Sequence, residues 1–138
     1  MSAISIQTAF DTLLDSSQSA AIDIAWFGRA FTPQIGMPYL RPSMLACTSA
    51  PQGAGANGTI LWSGRYQLLL NYPAASGPDD AGQKAEELRV VFRRGLNLPT
   101  SDGWAVVVEN TEVPPPMQGD VWLTQPVLVR WWALEFPT

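Results

Sequence analysis

The clearest hydrophobic pattern lies between residues 60 and 72, where apolar side chains occupy alternate positions. One face of this stretch carries Ile60, Trp62, Tyr66, Leu68, Leu70 and Tyr72, with Gly64 in register. The intervening positions are mostly polar, as at Ser63, Arg65 and Gln67. A period of two with one apolar face predicts a β-strand that is buried on that face only.

A helix is predicted directly after this strand. Gly77-Pro78 places a proline in the first helical turn, and Gly95 supplies a C-terminal stop. Between them, apolar residues recur at helical spacing from Ala81 to Phe92. Strand and helix together predict a helix–sheet core, formed by Tyr66, Leu68, Leu70, Ala85, Leu88 and Phe92.

Shorter elements are predicted elsewhere in the chain. Ser5 is a suitable N-cap for a first helix, whose apolar residues are spaced along one side. Strands are predicted at residues 21–27, 37–46 and 104–109. Pro42 interrupts the second of these, which places that strand on an edge of the sheet or at a bulge.

An uncharged segment, residues 47–59, follows the predicted edge strand. It consists largely of Gly, Ala, Ser and Asn, and it contains no lysine. A phosphate-binding loop would require Gly-Lys-Ser/Thr at its end. We therefore expect a flexible loop rather than a phosphate site, with mobile residues at Gly53, Gly55, Asn57 and Gly58.

The last strand, predicted at residues 121–136, is apolar on both faces. Its odd positions include Val127, Val129 and Trp131, and its even positions include Leu128 and Trp132. A strand that is apolar on both sides must be covered on both. One face can meet the helices, whereas the other requires a second sheet, a loop or a neighbouring subunit.

The order of these elements predicts one α+β domain spanning residues 1–138. We expect a two-layer sandwich, with a mainly antiparallel sheet of four to five strands and two helices packed on one face. Apolar residues make up 46% of the chain and charged residues only 14%, where a quarter charged is usual. This composition favours a subunit interface; a monomer with many neutral polar residues is the alternative.

Several kinds of chemistry are missing from the composition. The chain has no histidine and a single cysteine, Cys47, so His-based nucleophile pairs, ordinary zinc sites and an internal disulfide are excluded. The carboxylates of Asp79 with Asp80, and of Glu86 with Glu87, point in different directions on a helix. We expect no enzyme activity, no catalytic residues, no cofactor and no bound metal.

Charge and hydropathy limit the possible partners and compartments. The net charge of −4 argues against specific nucleic-acid binding, which requires clustered cations. The N-terminal residues lack the basic region of a signal peptide, and no apolar run is long enough to cross a bilayer. We therefore expect a soluble protein that is made inside the cell and does not bind a membrane.

Four stretches of the chain form a recognisable combination. The first stretch is Ala25-Trp26-Phe27-Gly28, followed by Phe31-Thr32-Pro33 and Tyr39-Leu40-Arg41. The second is Gly64-Arg65-Tyr66, in the strand that ends with Asn71-Tyr72-Pro73. The third is Gly77 with the helix after it, and the fourth is the terminal strand rich in Val and Trp. Together they resemble the tail terminator, or tail-completion, proteins of long-tailed bacteriophages, from which the chain departs in its long uncharged loop and in Pro114-Pro115-Pro116.

The resemblance implies a structural protein of the virion that is made in the host cytoplasm. Such a protein forms a six-membered ring at the head-proximal end of the tail tube, stops polymerisation of the tube and presents a surface to the head connector. Its partners would be copies of itself, the tube protein and the head-completion or connector protein. The candidate interface residues are Trp122, Leu128, Arg130, Trp131, Trp132, Leu134, Phe31, Tyr39 and Arg41.

Three other functions stay open at this point. One is another neck, head–tail joining or minor tail component of the same fold. A second is a monomeric ligand-binding module with an aromatic pocket formed by Trp26, Trp62, Trp104 and Tyr66. The third is a hydrolase with converging carboxylates.

Overall fold

The computed structural model describes residues 1–18, 21–53, 55 and 58–136, and these residues form two α-helices and seven β-strands. The helices are α1 (Ala3–Gln18) and α2 (Pro78–Val91). The strands are β1 (Asp23–Ile24), β2 (Tyr39–Pro51), β3 (Ile60–Pro73), β4 (Asn97–Pro99), β5 (Ala105–Glu112), β6 (Met117–Gln118) and β7 (Trp122–Glu135).

All seven strands belong to one sheet, in the order β1-β2-β3-β7-β5-β4, and β6 pairs with β7. Every pairing is antiparallel except that of β1 with β2. The structure confirms a mixed α and β chain with two helices. The predicted number of four to five strands is wrong, because β4 and β6 are only two or three residues long and too short for side-chain alternation to reveal them. β1 lies within the strand predicted at residues 21–27 but is only two residues long.

The first helix begins earlier than predicted, because Ser2 caps it instead of Ser5. The backbone N–H of Ser5 donates to Oγ of Ser2 at 3.1 Å, and the backbone N–H of Ser2 donates to Oγ of Ser5 at 3.1 Å. Ser5 itself lies within α1 and is buried. The reciprocal bonds satisfy two amide groups at the end of the helix, as capping residues generally do.

The segment predicted to be a loop, residues 47–59, is in part a strand. β2 continues to Pro51, with Cys47 opposite Gly64 and Pro51 opposite Ile60. The strand is held by backbone pairing, which does not require apolar side chains. The Gly, Ala, Ser and Asn composition of this stretch shows no apolar alternation, so the sequence did not indicate the strand. The connection comprises residues 52–59, and it includes three of the four glycine and asparagine positions predicted as mobile, Gly53, Gly55 and Gly58. The fourth, Asn57, lies outside the described residues.

One face of the sheet and the apolar faces of both helices form a single buried cluster. From α1 it includes Phe10, whose ring stacks on Tyr66 at 4.8 Å between centroids and lies 6.2 Å from the ring of Trp131. The cluster contains all six residues of the predicted helix–sheet core, which are fully buried: Tyr66, Leu68, Leu70, Ala85, Leu88 and Phe92.

Gly64 occupies the most restricted position of the sheet. A β-bulge interrupts the β2–β3 register between Met44 and Ala46, and it brings the Ala46 carbonyl against Gly64. A Cβ atom at residue 64 would overlap that carbonyl oxygen and lie 2.7 Å from Cζ2 of Trp131. The absence of a side chain therefore allows β2, β3 and the indole of Trp131 to meet.

Candidate functional site

The face of the sheet opposite the core cluster, here called the outer face, carries the even-numbered side chains of β7. Along this strand the odd positions from Leu123 to Ala133 are buried. On the outer face, Leu128, Trp132 and Leu134 are half-buried, and Arg130 is exposed. The register of the sheet brings four apolar side chains together there as an outer-face patch: Leu61, Val107, Trp132 and Leu134.

Two arginines lie beside this patch. Arg65 of β3 is directly opposite Arg130 of β7. Nε of Arg130 lies 3.3 Å from Oε1 of Glu112, whereas no carboxylate of the described residues lies within ion-pair distance of Arg65. Like charges directly opposite in a sheet are destabilising, and an exposed ion pair such as Arg130–Glu112 compensates little. The arginine pair therefore has no evident role in stabilising the subunit alone.

Trp131 was predicted as an interface residue, and the structure corrects this. Its side chain is 1% exposed and belongs to the core cluster. Trp131 and Trp132 are consecutive in β7, so their side chains lie on opposite faces of the sheet. The sequence pattern does not indicate which of the two faces the helices, because both faces of this strand are apolar. Trp132, its neighbour, is the tryptophan on the outer face.

Four other predicted interface residues form an aromatic cluster within the subunit. The ring of Tyr39 lies 5.2 Å from that of Phe31 and 5.1 Å from that of Trp122, and the guanidinium of Arg41 lies 5.9 Å from the Tyr39 ring centroid. Tyr39 is buried, so it is not a surface residue. Phe31 and Trp122 are half-buried and Arg41 is exposed. This cluster attaches the segment between β1 and β2 to the sheet.

A cleft of about 450 Å³ lies between α1 and the segment after β1, and is here called the α1 cleft. It is lined by Thr8, Asp11, Thr12, Asp15, Trp26, Phe27 and Arg29. Phe27 is 71% exposed. The sequence analysis missed this site, although Thr8, Asp11, Thr12 and Asp15 follow helical spacing and mark a polar stripe on α1.

Asp11 is the partly buried carboxylate of the α1 cleft. The hydroxyl of Tyr66 donates a hydrogen bond to Oδ1 of Asp11 at 2.5 Å. Burial raises the pKa of Asp11, and the hydrogen bond from Tyr66 opposes this rise. Burial and the nearby carboxylate also raise the pKa of Tyr66, which therefore stays protonated.

We expect Asp11→Asn to remove part of the pH dependence of stability. Because the pKa of Asp11 is raised on folding, the native state holds this proton more tightly than the unfolded chain. The free energy of unfolding therefore falls as pH rises from about 4 through the raised pKa, and it is constant above it. Asn retains an acceptor for Tyr66 but cannot ionise. Urea unfolding of both proteins at pH 4 and pH 7 should show a smaller decrease for the variant.

Asp15→Asn is the matched control for this prediction, since Asp15 lies one turn further along α1 and is exposed. It should leave the pH dependence close to that of the wild type. An equal effect of the two substitutions would contradict the assignment to Asp11.

The residues proposed as an aromatic pocket occupy different environments. Tyr66 is fully buried in the core, and Trp26 lines the α1 cleft. Nε1 of Trp62 donates to Oε1 of Glu135 at 3.3 Å, and the ring of Trp104 lies 6.3 Å from that of Phe136.

The carboxylates considered for a hydrolase are all exposed on α2, and two of them have partners on the same helix. Nζ of Lys84 lies 3.3 Å from Glu87, and Arg89 lies 3.3 Å from Glu86. Asp79 and Asp80 are in the first turn, where they complement the helix dipole. Within the described ranges, no group of three or more His, Cys, Asp or Glu side chains is placed to hold a metal ion.

The helices among the described residues are too short or too polar to cross a membrane. Two surfaces are the candidate functional sites: the outer face with its arginine pair, and the α1 cleft. The family model described as "Phage tail terminator protein" matches residues 5–131. The chain belongs to the phage tail terminator family.

Membership of this family makes the protein a tail-associated structural component of a virion, as the resemblance implied. No curated protein matches the chain. A solved structure is 28% identical to it, with a TM-score of 0.76, and the match covers 100% of this chain and 99% of the other. The fold described above is therefore similar to one that has been solved.

Proposed function

We propose that this tail terminator forms a ring on the end of the tail tube, ends polymerisation of the tube and provides the surface that joins the tail to the head. The ring would be a hexamer located at the head-proximal end of the tail. Its partners would be further copies of the chain, the tube protein and the head-completion or connector protein. We propose no enzymatic activity and no specific contact with nucleic acid.

The outer face of β7 carries this proposal. The apolar faces of both helices belong to the core cluster, and in our proposal they form one layer of a two-layer sandwich with the sheet as the other. The outer face then has no helix over Leu128, Trp132 and Leu134. Trp and Arg side chains together are typical of the energetically important centres of protein interfaces. A second copy of the chain is the proposed cover.

A ring requires two different, complementary surfaces on each subunit, because a head-to-tail contact closes only when the rotation between subunits completes a circle. The outer face supplies one such surface. The aromatic cluster shares no residue with the outer-face patch. This cluster and the connection at residues 52–59 are proposed to meet the tube or the connector.

Electron microscopy of tails made with and without the protein tests the proposed function. In lysates of a phage that lacks the gene, we expect tail tubes of uncontrolled length and few joined particles. Supplying the wild-type protein should restore a defined length. Tails of normal length without the protein would overturn the terminator assignment, and tails of normal length that fail to join heads would indicate another neck component of the same fold.

A further inference from the structure

The opposed arginines of the outer face line a small cavity in the subunit surface. This cavity, of about 340 Å³, is lined by Arg65 and Arg130 together with the hydroxyl residues Thr48 and Ser63, and Glu109 also borders it. Trp131 lines it as well, and its buried indole N–H has no acceptor among the described residues. The surroundings of Arg65 are therefore rich in hydrogen-bond donors, with Glu112 and Glu109 as the carboxylates nearby.

The α1 cleft has the complementary chemistry. Asp11 and Asp15 line it, and neither forms an ion pair within the described part of the chain. Burial around Asp11 weakens its solvation, so an incoming cation would stabilise its ionised form. Trp26 and the exposed Phe27 lie on the opposite wall, where an aromatic ring can stack on a guanidinium group. Arg29 is the cation of this cleft, and it offsets one of the two carboxylates.

The carboxylates of α2 are less suitable partners for the arginine pair. Glu86 and Glu87 already have cationic partners on their own helix. Asp79 and Asp80 lie in the first turn of that helix, where the dipole stabilises their charge. Asp11 and Asp15 have no cationic partner on their own helix among the described residues, and neither lies in its first turn. They line a cleft together with Trp26 and Phe27.

We propose that in the ring the α1 cleft of one copy receives Arg65 of the next copy, with Trp132 and Phe27 packing at the rim of this contact. The inference rests on the proposed ring. Because the two surfaces lie on opposite sides of the subunit, one on the outer face of the sheet and one on α1, the contact is head-to-tail and leaves both surfaces available for further copies. Guanidinium and carboxylate groups across such an interface also fix its register.

A charge exchange between the two surfaces tests this pairing. Arg65→Glu places a carboxylate opposite Arg130, and Asp15→Arg places a cation near the C-terminal end of α1, so neither change should destabilise the subunit. Each single variant creates a like-charge contact and should weaken association by roughly a hundredfold or more. The fraction of tails of defined length in complemented lysates should fall sharply for each.

The double variant Arg65→Glu with Asp15→Arg restores opposite charges at every contact, and it should recover tails of defined length. A mixture of the two single variants should recover them too, because copies can alternate around a ring with an even number of subunits. Arg94→Glu is the control: it makes the same charge change at an exposed position outside both surfaces and should complement normally. Circular dichroism melting of each purified variant shows that its fold is retained.

The outcomes separate this inference from the proposed function. If wild-type protein fails to restore tail length, the ring proposal fails and this pairing fails with it. If wild-type protein succeeds but Arg65→Glu succeeds equally, the pairing alone is wrong. A third outcome is that Arg65→Glu does not restore tail length, Asp15→Arg alone restores it normally, and the double variant does not restore it. In that case Arg65 contacts another partner, such as the DNA backbone, and the pairing is overturned.

Discussion

Replacing Trp131 with Ala should lower the free energy of unfolding by about 3–5 kcal/mol, since it removes a fully buried indole and leaves a cavity. The same change at Trp132 should lower it by only about 1–2 kcal/mol, because that side chain is half-buried on the outer face. Trp132→Ala should instead weaken assembly by about 2 kcal/mol or more for each subunit contact. Urea unfolding measures the first effect, and tail length in complemented lysates measures the second.

Two further variants control this comparison. Trp131→Phe keeps most of the buried ring and removes an indole N–H that has no acceptor among the described residues, so it should recover much of the stability lost in Trp131→Ala. Val90→Ala shortens an apolar side chain that is 70% exposed on α2 and should leave both stability and tail length unchanged. Equal losses of stability from Trp131→Ala and Trp132→Ala would contradict the assignment of the two faces.

Replacing Gly64 with Ala should destabilise the subunit by about 3 kcal/mol, at the upper end of overpacking effects. The added methyl group would overlap the backbone carbonyl of Ala46, and neither strand can yield without disturbing the bulge of β2. Overlap with the ring of Trp131 adds to the strain. Thermal or urea unfolding of the purified variant measures the loss.

Gly82→Ala is the matched control for this prediction. Gly82 lies within α2, and a Cβ there would meet no neighbouring atom. Alanine should therefore stabilise the helix by up to about 1 kcal/mol. If Gly64→Ala were tolerated as well as Gly82→Ala, the close approach of β2, β3 and Trp131 would be wrong.

The long elements of this chain could be predicted because their side-chain patterns repeat over many residues. The alternation of β3 and the proline and glycines around α2 placed both elements correctly. β4 and β6 offered two or three residues each, too few for any period to emerge. The second half of β2 was missed because Ala, Ser and Thr give no apolar alternation, and its pairing depends on the backbone of β3.

The candidate site was predictable only in part. The two apolar faces of β7 indicated that one face would remain uncovered, but which tryptophan belonged to it depended on the packing of Phe10 against Trp131. The α1 cleft joins a helix to a segment more than ten residues later, which local patterns do not connect. The opposition of Arg65 and Arg130 follows from a register between strands separated by some fifty residues of chain.

Most of one side of β2 is an unpaired edge of the sheet among the described residues. β1 pairs only with Tyr39 and Leu40, so the rest of this strand offers backbone donors and acceptors with no neighbour among the described residues, and residues 42–51 carry no charge to repel an incoming chain. Backbone irregularity, rather than charge, limits edge-to-edge pairing with another chain. Pro42, the bulge and Pro51 interrupt the row of backbone N–H groups to which another strand would pair. A protein proposed to halt the growth of a polymer thus has an exposed strand that is itself a poor template for one.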